Sequence, residues 1–180
     1  MTSAALSVEQ GTVPRKRWTH WTVINITCAA FLGWCLFYQV LGSFVRIGFD
    51  PQPNRCLPWI LYVVRTSPPA QIERNSIYQY YAKGIPLMPE GTRVVKYVGA
   101  IAGDTVDVDA QGIRINDVQW GPLNPETLTK AHLTVADVTK HYTVPAGKVL
   151  MLGTEKPSYD GRYFGLIDAT QISGRAYAVW

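Results

Sequence analysis

Hydrophobic residues run without a charge from position 21 to 45 and then give way to two-residue alternation, which divides the chain into one long apolar helix and a β-rich remainder. The apolar run is long enough to cross about 30 Å of hydrocarbon as a tilted helix. Asn25 and Gln39 are its only side-chain amides. Trp18 and Trp21 at one end, and Phe44, Arg46 and Phe49 at the other, are the aromatic and basic residues expected at the two membrane interfaces. A cleaved secretory signal is the competing reading, because Arg15-Lys16-Arg17 precede the run. Against it, the run is about twice the length of a signal h-region, and no small-x-small cleavage site follows it cleanly.

Beyond the span, positions 61–64, 92–98, 105–109, 113–116, 149–152 and 176–180 read as short strands. Asp109-Ala110-Gln111-Gly112 predicts a hairpin turn between two of them. Ser67-Pro68-Pro69 reads as a helix start with Gly84 as its stop, and positions 125–140 as a second, polar helix or a loop. The expected organisation is a tail over 1–20, a transmembrane helix over 21–46 and one compact domain over 47–180.

Charge bears on the orientation and removes one class of partner. Arg46, Arg55 and Arg65 follow the span, so the Lys/Arg count alone hardly decides, but the contiguity of the three basic residues before it and the short leading tail favour a cytoplasmic N-terminus, which leaves the domain on the far side of the membrane. A net charge of +4 with pI ≈ 9.0 is modest and dispersed. Without a basic stripe or an aromatic platform, nucleic acid is a poor partner.

Two residues carry candidate chemistry. Of the 3 cysteines, Cys28 and Cys35 lie in the span, where a thiol serves as a small apolar filler, so Cys56 is the only thiol in the domain. It is either buried filler or a nucleophile, since an idle thiol facing an oxidising compartment is exposed to oxidation. Lys96 shares a strand face with Val94 and Val98 while Val95 and Tyr97 occupy the other. An amine held among apolar side chains is the setting of a general base; the alternative is a solvent-facing lysine on an edge strand. No CxxC or Cys/His spacing suggests a metal, and no cofactor motif occurs.

Three segments in order extend these two residues into a pattern: Cys56-Leu57-Pro58-Trp59-Ile60-Leu61-Tyr62, Val94-Val95-Lys96-Tyr97-Val98-Gly99-Ala100-Ile101-Ala102-Gly103-Asp104, and Ser158-Tyr159-Asp160-Gly161-Arg162-Tyr163-Phe164-Gly165. Together, behind an anchor, they resemble the boxes of the TraF-type conjugative-transfer signal peptidases, membrane-anchored Ser-Lys proteases of the type I signal peptidase superfamily. The departure is the cysteine at the nucleophile position. The resemblance implies a mainly β, signal-peptidase-like domain in the periplasm, held by one helix in the bacterial inner membrane. It implies a Cys56-Lys96 dyad, with Ser158 orienting the lysine, Asp160 and Arg162 paired to fix their loop, and Asn54 supplying an oxyanion donor beside the Cys56 N–H. Its substrate would be an exported pilin precursor, cut next to small side chains and joined head to tail, with the lipid bilayer and conjugative type IV secretion components as further partners. Two rivals stand beside it: a Cys-His hydrolase using His132 or His141, and a non-enzymatic part of a pilus or secretion apparatus that kept the fold and lost turnover.

Overall fold

The computed structural model describes residues 19–180; the basic triplet Arg15-Lys16-Arg17, Trp18 and most of the expected tail lie outside the described residues. The chain falls into two units, Met1–Val40 and Leu41–Trp180.

The described part of the first unit is most of helix α1, which runs from His20 to Phe44, ends within the second unit and buries none of its residues. Among the described residues it is the one helix long and apolar enough to cross a membrane. It stops at Phe44 rather than at 46, because Val45–Phe49 is a strand, β1, that pairs antiparallel with β2, Leu61–Arg65. Thr66 completes the turn from helix to strand: its N–H donates to the Phe44 carbonyl at 3.0 Å and its hydroxyl to the Ser43 carbonyl. Two carbonyls of the last helical turn thereby gain the donors that a helix end lacks.

The second unit is β-rich, as the alternation predicts. Its further strands are β3 (Ile77–Tyr81), β4 (Arg93–Ala100), β5 (Thr105–Asp109), β6 (Gly112–Ile115), β7 (Val118–Gly121), β8 (Lys140–Thr143), β9 (Lys148–Leu152), β10 (Leu166–Asp168) and β11 (Ile172–Ala178). Seven of the strands form an antiparallel sheet in the order β1-β2-β11-β3-β4-β9-β10, and four form a second in the order β7-β6-β5-β8. Three short helices lie between strands: α2 (Pro125–Lys130), α3 (Val135–Val138) and α4 (Gly161–Phe164).

The helix expected from Ser67 towards Gly84 does not form. Within that stretch Ile77–Tyr81 is a central strand between β11 and β4. Its aromatic and β-branched residues suit a pleated surface, and both of its backbone edges are paired. The polar stretch after 125 resolves into α2 and α3, capped by Asn124 and Thr134.

Strand β4 carries Lys96 through the middle of the larger sheet, between β3 and β9. Val94 and Val98 pack on one face with Tyr78 and Tyr80, and Val95 and Tyr97 pack on the other with Leu57 and Tyr62. The Gly103-Asp104 that follows β4 has a structural task. Asp104 is almost fully buried and accepts from the Ile101 N–H at 2.8 Å, from Asn116 Nδ2 at 2.8 Å and from Arg74 Nε at 2.6 Å. One carboxylate thus holds the end of the lysine strand against the β6–β7 turn of the second sheet. At the other side of the large sheet, β11 leaves β3 to follow β2 just after Gly174, where an added Cβ would stand 1.7 Å from the Arg65 carbonyl oxygen. Only glycine fits at that crossing.

Candidate active site

Lys96 is fully buried, so the solvent-facing alternative does not hold. Its amine makes one hydrogen bond among the described residues, donating to Ser158 Oγ at 2.9 Å. Ser158, also fully buried, donates in turn to Asp160 Oδ2 at 2.8 Å.

The carboxylate that ends this relay is held on all sides. Asp160 caps the N-terminus of α4 through the Arg162 N–H at 3.1 Å, and Oδ2 accepts from the Gly153 N–H at 2.8 Å. Arg162 grips it with two further bonds, Nε to Oδ1 at 2.9 Å and Nη2 to Oδ2 at 2.7 Å. Burial alone would push the Asp160 carboxyl up, but the Arg162 hydrogen bonds, the charges of Lys96 and Arg162 and the Gly153 N–H outweigh it and hold the group below the usual carboxylate range. The guanidinium, which burial would push down, is likewise held up by its bonds to Asp160. It also donates from Nη1 to the Pro122 carbonyl at 2.9 Å.

Cys56 reaches this cluster through its backbone. It sits on the loop between β1 and β2, half-buried, with Leu57 driven into the core against Tyr62, Val64 and Ala176. Its carbonyl accepts from the Thr154 N–H at 3.0 Å and from the Glu155 N–H at 3.3 Å, so the cysteine loop is stitched to the loop that carries Ser158. Gly153 marks how close the two loops come. An added Cβ there would stand 2.1 Å from Ser158 Oγ and 2.6 Å from the Cys56 carbonyl oxygen. Tyr62 is pushed up to about 12 by burial, with Asp50 and Cys56 adding to the effect. Burial also raises Tyr80, again with Cys56 and Asp160 adding.

Of the six residues singled out from sequence, Lys96, Ser158, Asp160 and Arg162 form one continuous hydrogen-bonded chain, and Cys56 is fastened beside it. Asn54 is not brought in: it is exposed and hydrogen-bonds to none of these groups. The histidines also stand apart. His141 pairs with Asp107 across the smaller sheet, and His132 occupies a left-handed turn between α2 and α3. Neither hydrogen-bonds to Cys56, and the Cys-His reading has no geometric support.

Sequence reasoning missed Gly153 and Pro122. The break from the apolar run 149–152 into Gly153-Thr154 was the signal for the first. Nothing local marked the second, because its partner lies 40 residues away.

Among solved structures the chain is similar to a signal peptidase I of Enterococcus faecalis V583, with 23% identity, 58% of this chain and 96% of that chain covered and a TM-score of 0.37. No curated protein matches. The family model described as signal peptidase, peptidase S26, matches residues 18–180. Because that match spans every described residue, the protein belongs to the signal peptidase S26 family and is a signal-peptidase-like peptide hydrolase.

Proposed function

We propose that the protein is a membrane-anchored endopeptidase that cuts an exported conjugative pilin precursor through a Cys56-Lys96 dyad and joins the new C-terminus to the pilin's own N-terminus. The observation that carries the reading is the buried chain from Lys96 through Ser158 to Asp160, which ends in the loop that hydrogen-bonds the Cys56 carbonyl.

The chemistry runs in two halves. Lys96 takes the Sγ proton, the thiolate attacks the substrate carbonyl, and the oxyanion that forms is held by the Cys56 N–H. As the C–N bond breaks, Lys96 returns the proton to the leaving amine, and a thioester remains on Cys56. In the second half Lys96 removes a proton from the incoming nucleophile, and sulfur leaves as the acyl group passes to it. Water gives a linear pilin, and the pilin's amino terminus gives a ring. A thiol is far easier to deprotonate than a hydroxyl, which lessens the demand on the lysine relative to a Ser-Lys site. A thioester also prefers amines over water more than an oxygen ester does, which is why joining is the proposed outcome. The proposed setting is the inner membrane, with the domain in the periplasm among conjugative type IV secretion components.

Intact-mass analysis of a pilin precursor incubated with the parent and with Cys56→Ala tests the reading. A product lighter than the linear mature chain by one water, formed by the parent alone, is the expected result. A linear product only would remove the joining step. An inert parent would make the chain a non-enzymatic component.

Gly153→Ala is expected to lower turnover by about 10²-fold, since a methyl group there must displace either Ser158 or the Cys56 loop, and misplacements of this order cost about that much. Steady-state kinetics check it. Unchanged turnover would mean that the two loops need not meet.

A further inference from the structure

The segment from β7 to α2 is fastened to the catalytic loop at four points. Trp120 Nε1 donates to the Gly153 carbonyl at 3.4 Å, Arg162 Nη1 to the Pro122 carbonyl at 2.9 Å, the Asn124 N–H to the Tyr163 hydroxyl at 2.9 Å, and Asn124 Nδ2 to the Lys156 carbonyl at 2.9 Å. Between the two segments lies a groove of about 580 Å³, whose walls include Trp120, Pro122, Leu123, Thr154 and Lys156 and whose floor reaches Gly153 and Arg162. That volume falls within the range of sites that enclose a ligand segment. Trp120 is held from two sides, by the Gly153 carbonyl and by the edge of Tyr97 at 6.2 Å between ring centroids, so its indole presents a fixed apolar wall. Glu126 and Lys156 bring one charge of each sign to the lining and the third charged residue, Arg162, is paired with Asp160, which leaves shape and apolar contact as the basis of choice.

We infer that this groove receives the stretch of substrate downstream of the scissile bond, and that Trp120 and Leu123 select an apolar side chain there. The inference rests on the Cys56-Lys96 reading. Its direction comes from proton transfer: the leaving nitrogen takes its proton from Lys96, so the chain beyond that nitrogen departs past the residues that flank the lysine's partner Ser158. Gly153 lies against Ser158, Thr154 follows it, and both residues line the groove. The Thr154 N–H bonds the Cys56 carbonyl, so one lining residue of the groove also holds the backbone of the nucleophile. A wall already fixed by hydrogen bonds binds without an ordering cost.

Two peptides with the same upstream segment, one with Leu and one with Gly in the second position after the cut, test the inference against the parent and Leu123→Ala. The expected result is a loss of about tenfold in kcat/KM for the Leu peptide in the variant, with the Gly peptide within about twofold of the parent. An activated thioester of the upstream segment, which has no downstream chain, should acylate both proteins equally. Equal losses on the Leu and Gly peptides, or a loss on the thioester, would overturn the inference. A fragment series requires neither turnover nor a change in the groove: downstream peptides bearing Gly, Ala, Leu or Trp are titrated into Cys56→Ala protein by calorimetry. Affinity that rises with side-chain size supports the inference even where no peptide is cleaved, a result that would fail the dyad alone. Flat or absent binding overturns it while leaving the dyad standing.

Discussion

Lys96→Met is expected to reduce peptide cleavage by about 10²- to 10⁴-fold, the usual contribution of a general acid-base group, while the protein stays folded. Methionine keeps the length and the apolar stem of lysine, so it fills the same space among Val94, Val98 and Tyr78. Ser158 loses one neighbour but keeps its bond to Asp160, so no buried hydroxyl is stranded. What disappears is the group that accepts the Sγ proton and returns it to the leaving amine. Turnover of a fluorogenic peptide, with thermal melting of the same samples in detergent, separates the two effects. A folded Lys96→Met protein with parental turnover would remove lysine from the chemistry.

Arg162→Ala is expected to cause the largest loss of stability, about 3 to 5 kcal/mol, because it leaves the fully buried Asp160 carboxylate without its cation. In a domain of this size that corresponds to a melting temperature lower by roughly 10 °C. The pH dependence carries a sign. In the parent, Asp160 is held below the usual carboxylate range, so its contribution is present above the unfolded value of about 4 and is lost as pH falls through the folded value. In the variant the strongest lowering influence is gone, and burial, the largest single influence on this group, pushes the carboxyl up. The variant then loses stability as pH rises, so the gap between the two proteins should be wider at pH 8 than at pH 4. Melting curves across that interval check it, and a gap that is constant or widest in acid would contradict the buried-pair account.

The parts legible in the sequence are those whose signal is local. Thr105–Asp109 and Gly112–Ile115 alternate cleanly because one face of their sheet is core, and the turn between them announces itself with Asp109 and Gly112. Strand Ile77–Tyr81 was hidden because alternation fails within it. Gln79 is buried beside Tyr78 and Tyr80, and the group that makes this tolerable is Ser173 Oγ, 94 residues away. Strand β1 was hidden for a different reason: Val45, Ile47 and Phe49 extend the apolar character of the span, so composition marks no boundary at Phe44.

The site divides along the same line. Ser158, Asp160 and Arg162 lie within five positions of one another, where spacing alone suggests a shared loop, and Lys96 stood out by the company it keeps on its strand. The wall formed by Trp120, Pro122 and Asn124 left no such trace, because each of those residues meets the catalytic loop across more than 30 positions of intervening chain.

The central claim is that the sulfur of Cys56 carries the acyl group with Lys96 as its base. The most direct measurement is intact mass of the enzyme itself, quenched in acid within the first turnover on a precursor or peptide, with the adduct mapped by proteolysis. The account predicts a hydroxylamine-sensitive adduct on Cys56 that is absent from Cys56→Ala and strongly reduced in Lys96→Met. Cleavage that persists in Cys56→Ala, or an adduct on any other residue, would contradict it.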